Sequence, residues 1–174
     1  MSDATEMNPD ACAAMGATTE AHKLFTPFVG TFKAEVTMWM GPGDPMVSTG
    51  VMTNTLELGG RFLHQVYQGD ATDGPFPNFQ GRGYWGYNTT DHRYEGLWID
   101  TVCTHFGLEY GQVDETGKVW TMLGSSTNPE TGEAMRKKSI ITLHDDNTHE
   151  MDMFTEASPE GEWHKCMHIA YTRV

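Results

Sequence analysis

The stretch Phe32-Lys33-Ala34-Glu35-Val36-Thr37-Met38 alternates apolar and polar residues without a break. Period-two alternation puts Phe32, Ala34, Val36 and Met38 on one face and Lys33, Glu35 and Thr37 on the other, the pattern of a strand with one buried face. Gly41-Pro42-Gly43-Asp44-Pro45 ends the run, because Gly and Pro set turn dihedrals and Pro withholds a ladder donor. The same period continues to the end of the chain. Strands are expected over 47–58, 61–68, 80–88, 92–100, 103–112, 117–125, 134–144, 148–156 and 162–173. The breakers between them include Gly59-Gly60, the 69–78 loop, Thr89-Thr90-Asp91, Asn128-Pro129-Glu130-Thr131-Gly132 and Ser158-Pro159-Glu160-Gly161.

Upstream, Thr18 or Thr19 can cap a short helix that carries Leu24, Phe25 and Phe28 on one side and ends near Pro27 to Gly30. Residues 1–17 are small, polar and acidic and read as a flexible tail, leaving 18–174 as one domain. Short hairpin turns between evenly spaced strands give an antiparallel meander, and a meander of this size closes on itself. The expected fold is therefore all-β: an antiparallel up-and-down β-barrel of about ten strands, with the short N-terminal helix plugging one end. The 69–78 loop, with Phe76 and Phe79 in or beside it, reads either as a lid over a barrel mouth or as a surface loop whose aromatic rings cover core.

Composition narrows the partners. The 174 residues hold 11 Lys and Arg against 24 Asp and Glu, a formal charge of −13. Such a chain repels phosphate backbones and anionic bilayers, so neither nucleic acid nor a membrane surface is an expected partner. The N-terminus has no basic segment followed by an apolar one, which argues against a secretory signal. Three cysteines, Cys12, Cys103 and Cys166, fit no zinc spacing and read as reduced thiols of a cytoplasmic protein, with Cys103 and Cys166 in strands.

Several motifs occur together in order: Phe28-Val29-Gly30-Thr31-Phe32, Leu58-Gly59-Gly60-Arg61-Phe62-Leu63, Tyr94-Glu95-Gly96-Leu97-Trp98-Ile99-Asp100, Asn128-Pro129-Glu130-Thr131-Gly132 and Met167-His168-Ile169-Ala170-Tyr171-Thr172-Arg173. Over about residues 20–174 the chain resembles the bacterial family known as domain of unknown function 1579. The resemblance implies a calycin-type, lipocalin-like barrel, with Gly30-x-Phe32 as its version of the opening Gly-x-Trp signature, and it implies no activity. Phe32 stands where the family pattern has Trp, and Asp152 and His168 stand where it has Glu.

Eight histidines are the unusual supply of chemistry. His149 alternates with Met151 and Met153 and is a lumen candidate, with a half-buried imidazole bonded to a backbone carbonyl as the plainer reading. His64 shares its parity with Phe62 and Val66 and is expected to face inward. His105 shares a face with Glu109, but roughly 13 Å apart on one strand, too far to act as one unit. Trp98 and Asp100 share a face, so Asp100 reads either as a carboxylate whose pKa an apolar neighbour raises or as a cap on the strand end. Tyr171 and Arg173 read as pairing with acidic lumen residues or as closing the barrel, and a buried Arg173 would call for a carboxylate. His164, Cys166 and His168 alternate against Trp163, Met167, Ile169 and Tyr171; two of the three could share a metal completed from neighbouring strands, or, if the apolar side turns inward, the His/Cys side meets solvent or a second subunit. Glu57, Asp100, Glu109, Glu150 and Asp152 are the carboxylates within strands worth testing.

Phosphate loops, nucleophile elbows and paired Cys motifs are missing from the sequence. The reading that fits best is a barrel holding an apolar or amphipathic small molecule in its lumen, with His64, Trp98, Asp100, His105, His149 and Tyr171 as candidate ligand-binding residues and Met (12) and aromatic side chains as walls. The alternatives are a small metal- or acid/base-dependent enzyme, a haem-binding barrel, and a ligand-free protein that forms a homodimer.

Overall fold

The computed structural model describes residues 8–156 and 161–174. Its strands form a closed barrel in the circular order β1-β10-β9-β8-β7-β6-β5-β4-β3-β2. They are β1 (Gly30–Met38), β2 (Met46–Glu57), β3 (Phe62–Gly69), β4 (Gln80–Asn88), β5 (Arg93–Asp100), β6 (Gly107–Val113), β7 (Val119–Thr127), β8 (Ala134–Leu143), β9 (Thr148–Glu156) and β10 (Trp163–Arg173). Every neighbouring pair is antiparallel, and β1 pairs with β10 from Phe32↔Arg173 to Met38↔Met167. The expected barrel is present, and it fits a calycin-like description. The first seven residues of the expected tail and the Ser158–Glu160 part of the last expected turn lie outside the described residues.

One strand is shorter than its pattern predicts. Residues 101–106 are an exposed loop, and β6 begins only at Gly107. Asp100 is the cause: its Oδ1 accepts hydrogen bonds from the backbone N–H of Val102 (2.8 Å) and Cys103 (2.9 Å) and turns the chain out of the sheet. Cys103 is therefore an exposed loop residue, contrary to its expected place in a strand.

Helix α1 (Pro9–Met15) lies within the stretch expected as a tail and has no buried residue. Helix α2 (Glu20–Lys23) and the 3-10 turn Thr26–Phe28 form the plug. Phe25 and Phe28 are 0% and 1% exposed and enter a core with Leu63, Tyr94, Trp120 and Ile141. Burying two Phe side chains there stabilises the closed end by roughly 4–5 kcal/mol before chain entropy is counted. Polar ties fix the plug as well. Buried Asn54 donates to the Phe28 carbonyl at 2.9 Å, and the Tyr94 hydroxyl donates to the Ala21 carbonyl at 3.0 Å.

Arg173 ties the seam to the plug. Its Nη1 and Nη2 donate to the carbonyls of Val29 and Pro27, and its Nε to that of Asp146, each at 2.7 Å. The guanidinium lies 4.4 Å from the Phe32 ring centroid. The carboxylate partner expected for Arg173 is replaced by these carbonyls, which take up its donors and leave the charge at the barrel rim. This packing explains the Gly30-x-Phe32 motif. Gly30 has φ +128, and a Cβ there would overlap Arg173 Nη1, while Phe32 supplies the face on which the cation rests.

Glycine also sets strand approach inside the barrel. A Cβ at Gly111 of β6 would overlap the Thr121 carbonyl and Met122 Cα of β7. Backbone cannot swing away as a side-chain tip can, so Gly111→Ala is expected to destabilise the fold by about 3 kcal/mol. Equilibrium urea unfolding checks this; an unchanged midpoint would show that β6 and β7 part without cost.

Candidate functional site

Strand parity divides the lumen into two halves. At the plugged end, inward side chains such as Leu63, Trp120, Met122 and Ile141 are at most 3% exposed. Towards the other end, inward residues including Met38, Met153, Met167, Trp98 and Glu109 are half-buried. An inward side chain of a closed barrel meets solvent through the lumen, so water reaches these side chains from the unplugged end.

Glu109 is the polar centre of the open half. It accepts a hydrogen bond from Ser139 Oγ at 2.8 Å, reaching from β6 across β7 to β8. Burial pushes its carboxyl pKa up, and the Ser139 hydrogen bond and the Lys137 charge pull against that rise. Lys137 also acts on Cys166: burial raises the thiol pKa, and Lys137 works in the lowering direction. Cys166 turns inward because the β9–β10 register shifts between Lys165 and Met167, a bulge that inserts one residue. Its thiol donates to the Met153 carbonyl at 3.4 Å.

Trp98 and Asp100 face the lumen from β5. Gly81 and Gly83 of β4 make room for the indole, since a Cβ at either would overlap the Trp98 ring. Trp98 Nε1 donates to Asp100 Oδ2 at 3.1 Å, so the carboxylate both caps the strand end and orients the indole. Phe79 packs against Tyr67 at a ring-centroid distance of 5.7 Å, so this ring beside the 69–78 loop covers core.

The structure separates the other expected site residues from this region. His149 faces inward but is sealed at the plugged end, 6% exposed, stacked on Tyr171 at 4.4 Å and edged by Phe32 and Phe28 at 4.7 and 5.0 Å. Its Nδ1 is buried with no partner among the described residues, instead of meeting a backbone carbonyl. Burial pulls its pKa down to about 3, with help from the Arg173 and His144 charges. Tyr171 is buried beside it, and burial, with Tyr67 nearby, raises its pKa.

His64 points outward, contrary to its expected place inside. Leu63 and Tyr67 hold the inward parity, and His64 stacks on Tyr84 at 4.6 Å with Glu57 Oε1 at 2.9 Å from its Nδ1. Phe62 can share that outer face because it covers the Cβ-less Gly86. His105 sits on the exposed loop 101–106, which removes the common strand face with Glu109. His164 stands opposite Thr155 and so has the inward parity at the open rim, where its side chain is exposed; none of the described His, Cys, Asp and Glu residues form a group of three that could hold a metal ion.

On β10, Met167, Ile169 and Tyr171 face inward and His168 outward, while the bulge sends Cys166 in. Trp163 falls on the outer face with Lys138, whose Nζ lies 4.4 Å from its ring. His168 stands directly opposite Asp152, with Nδ1 2.7 Å from Oδ1, and Lys165 Nζ lies 2.7 Å from the same oxygen. Burial opposes the Asp152 charge, but the Lys165 and His168 hydrogen bonds outweigh it and hold the carboxyl below its ordinary pKa. His168 and Asp152 thus form one hydrogen-bonded cross-strand pair.

Lys137 and Ser139 alternate with Ile141 and Leu143 in the sequence and so share the core parity of β8. Outside the lumen, a groove of about 350 Å³ flanks the plug at Thr19, Lys23 and Gly59, and one of about 420 Å³ lies between Phe106, Leu108, Tyr110 and Leu123. No described helix is long and apolar enough to cross a membrane.

Residues 17–173 match the family described as Protein of unknown function (DUF1579). No curated protein matches the chain. Among solved structures, the chain is similar to Rv2717c from M. tuberculosis, at 15% identity and a TM-score of 0.62, covering 91% of this chain and 99% of that one. It is also similar to a redesigned β barrel, at 18% identity and a TM-score of 0.44, over 91% and 98% of the two chains. The first likeness shows a shared barrel fold.

Proposed function

We propose, from the premise that the chain belongs to the DUF1579 family of proteins of unknown function, that it binds an apolar or amphipathic small molecule in the open half of its lumen. The observation that carries this reading is the group of inward, half-buried side chains away from the plug, Met38, Met153, Met167 and Trp98, beside the Glu109–Ser139 hydrogen bond. Met38, Met153, Met167 and Trp98 offer adaptable apolar walls, and Glu109 with Ser139 offers a placed polar anchor. The ligand's apolar body lies against the thioethers, and a hydrogen-bond donor on its polar end meets Glu109.

A titration with the neutral apolar dye N-phenyl-1-naphthylamine tests this. Fluorescence is expected to rise to saturation with wild-type protein. Met153→Trp, which fills the lumen, is expected to weaken binding at least ~10-fold by removing the space the ligand needs. Leu123→Ser, on the outer groove, is expected to leave it unchanged. Loss of binding in Leu123→Ser with retention in Met153→Trp would move the site to the barrel exterior.

A second reading, an acid–base enzyme, draws on Glu109 alone, whose raised pKa in a recessed site is the usual mark of a tuned general acid or base. The three cysteines, all free, support a reducing compartment such as the cytoplasm.

A further inference from the structure

The open half of the lumen carries a row of sulfur. Met46 pairs with Met38 across β2 and β1, Met38 with Met167 across β1 and β10, and Met167 with Met153 across β10 and β9. Four consecutive strands thus place one thioether each at the same register, all facing inward and all half-buried. Adjacent strands are roughly 5 Å apart, so each Met side chain lies within reach of the next. The bulge adds a fifth sulfur to this wall: Cys166 is turned inward beside Met167, its thiol against the Met153 carbonyl. The same lateral line continues to buried Ser139 and Met122 towards the plug, so the sulfur row occupies its solvent-reached part.

We propose that Met38, Met46, Met153 and Met167, with Cys166, bind copper(I) at the open end of the barrel. Thioether and thiolate donors are soft and select copper(I), whereas calcium, magnesium and manganese prefer oxygen donors, which none of these five side chains supplies. Thioethers carry no proton, so the Met row binds without acid–base change. Cys166 adds a thiolate: the copper–sulfur bond forms as the S–H bond breaks, the proton leaves to water, and copper stays in its +1 state. Leu or Ile at the four Met positions would give an equally apolar wall without these donors. The proposal stands apart from the apolar-ligand reading, because dye binding and copper binding can each fail alone.

The test is an anaerobic competition between the full chain and the copper(I)–bicinchoninate complex, followed by bleaching of that complex. Wild-type protein is expected to remove one equivalent of copper(I), releasing about one proton and gaining near-ultraviolet sulfur-to-copper absorbance. The near-isosteric double variant Met38→Leu/Met167→Leu is expected to lose affinity by more than the roughly 10- to 100-fold that changes outside a metal's ligand set cause. Met153→Leu serves as an independent variant if the double change perturbs folding. Cys166→Ser is expected to bind more weakly and without proton release, while Cys12→Ser/Cys103→Ser matches wild type. No copper transfer to wild-type protein, or undiminished affinity in the Met→Leu variants, would overturn the proposal.

Discussion

His149→Phe is expected to remove much of the acid sensitivity of this fold. The imidazole has a pKa of about 3 when folded, against 6.5 when unfolded. The folded pKa is the depressed one, so below pH 6.5 the unfolded chain takes up a proton that the folded chain refuses. The stability associated with neutral His149 is therefore complete above pH 6.5 and is lost progressively as pH falls towards 3. Over the whole window the shift amounts to roughly 4–5 kcal/mol, of which about half is already lost near pH 4.5. Phenylalanine keeps the stack on Tyr171 and the edges of Phe28 and Phe32 but has nothing to protonate, and it removes the unpartnered Nδ1. Urea unfolding of both proteins between about pH 7.5 and 4.5 measures the difference. Parallel pH profiles for the two would show that His149 opens to water before it titrates.

Arg173→Met should be the most damaging single change at the barrel seam. It removes three charge-assisted hydrogen bonds of 2.7 Å, and the carbonyls of Val29 and Pro27 lose their guanidinium donors. A loss of about 3 kcal/mol follows from the net worth of hydrogen bonds to a charged group, after the Met side chain recovers part of the packing on Phe32. Arg173→Lys should recover little of it, because one ammonium cannot span three carbonyls on separate segments. Thermal unfolding gives the magnitude. Full retention of stability in Arg173→Lys would mean that the cation over Phe32, and not the fork of carbonyl bonds, holds the seam.

The barrel was legible because its causes are local. Alternation from Phe32 to Met38 and the Gly- and Asp-rich turns fix strand positions through steric rules that need only a few neighbouring residues. Where a side chain overrode the pattern, the reading failed: Asp100 caps its own strand and draws 101–106 out of the sheet, which moved Cys103 and His105. His64 was misplaced because its parity partners Phe62 and Val66 are apolar, yet they coat the outer face, over Gly86 and its neighbours. The site was harder to read than the fold. Glu109 could be singled out as a strand carboxylate, but its bond to Ser139 spans two strand spacings and depends on the register. The sulfur row depends on three registers at once, and no window of sequence contains it.

The pairing of β1 with β10 has a kinetic consequence. The other strand pairs join consecutive segments and can zip up hairpin by hairpin, each closing a short loop. The seam closes a loop that runs from Phe32 to Arg173, and its entropy is offset only when the last strands meet. Barrel closure is thus the slow, late event of folding, and the first to reverse. Amide protons of β1 that donate to β10 are expected to exchange through that opening, ahead of those in β7 and β8, which hydrogen-exchange measurements would show.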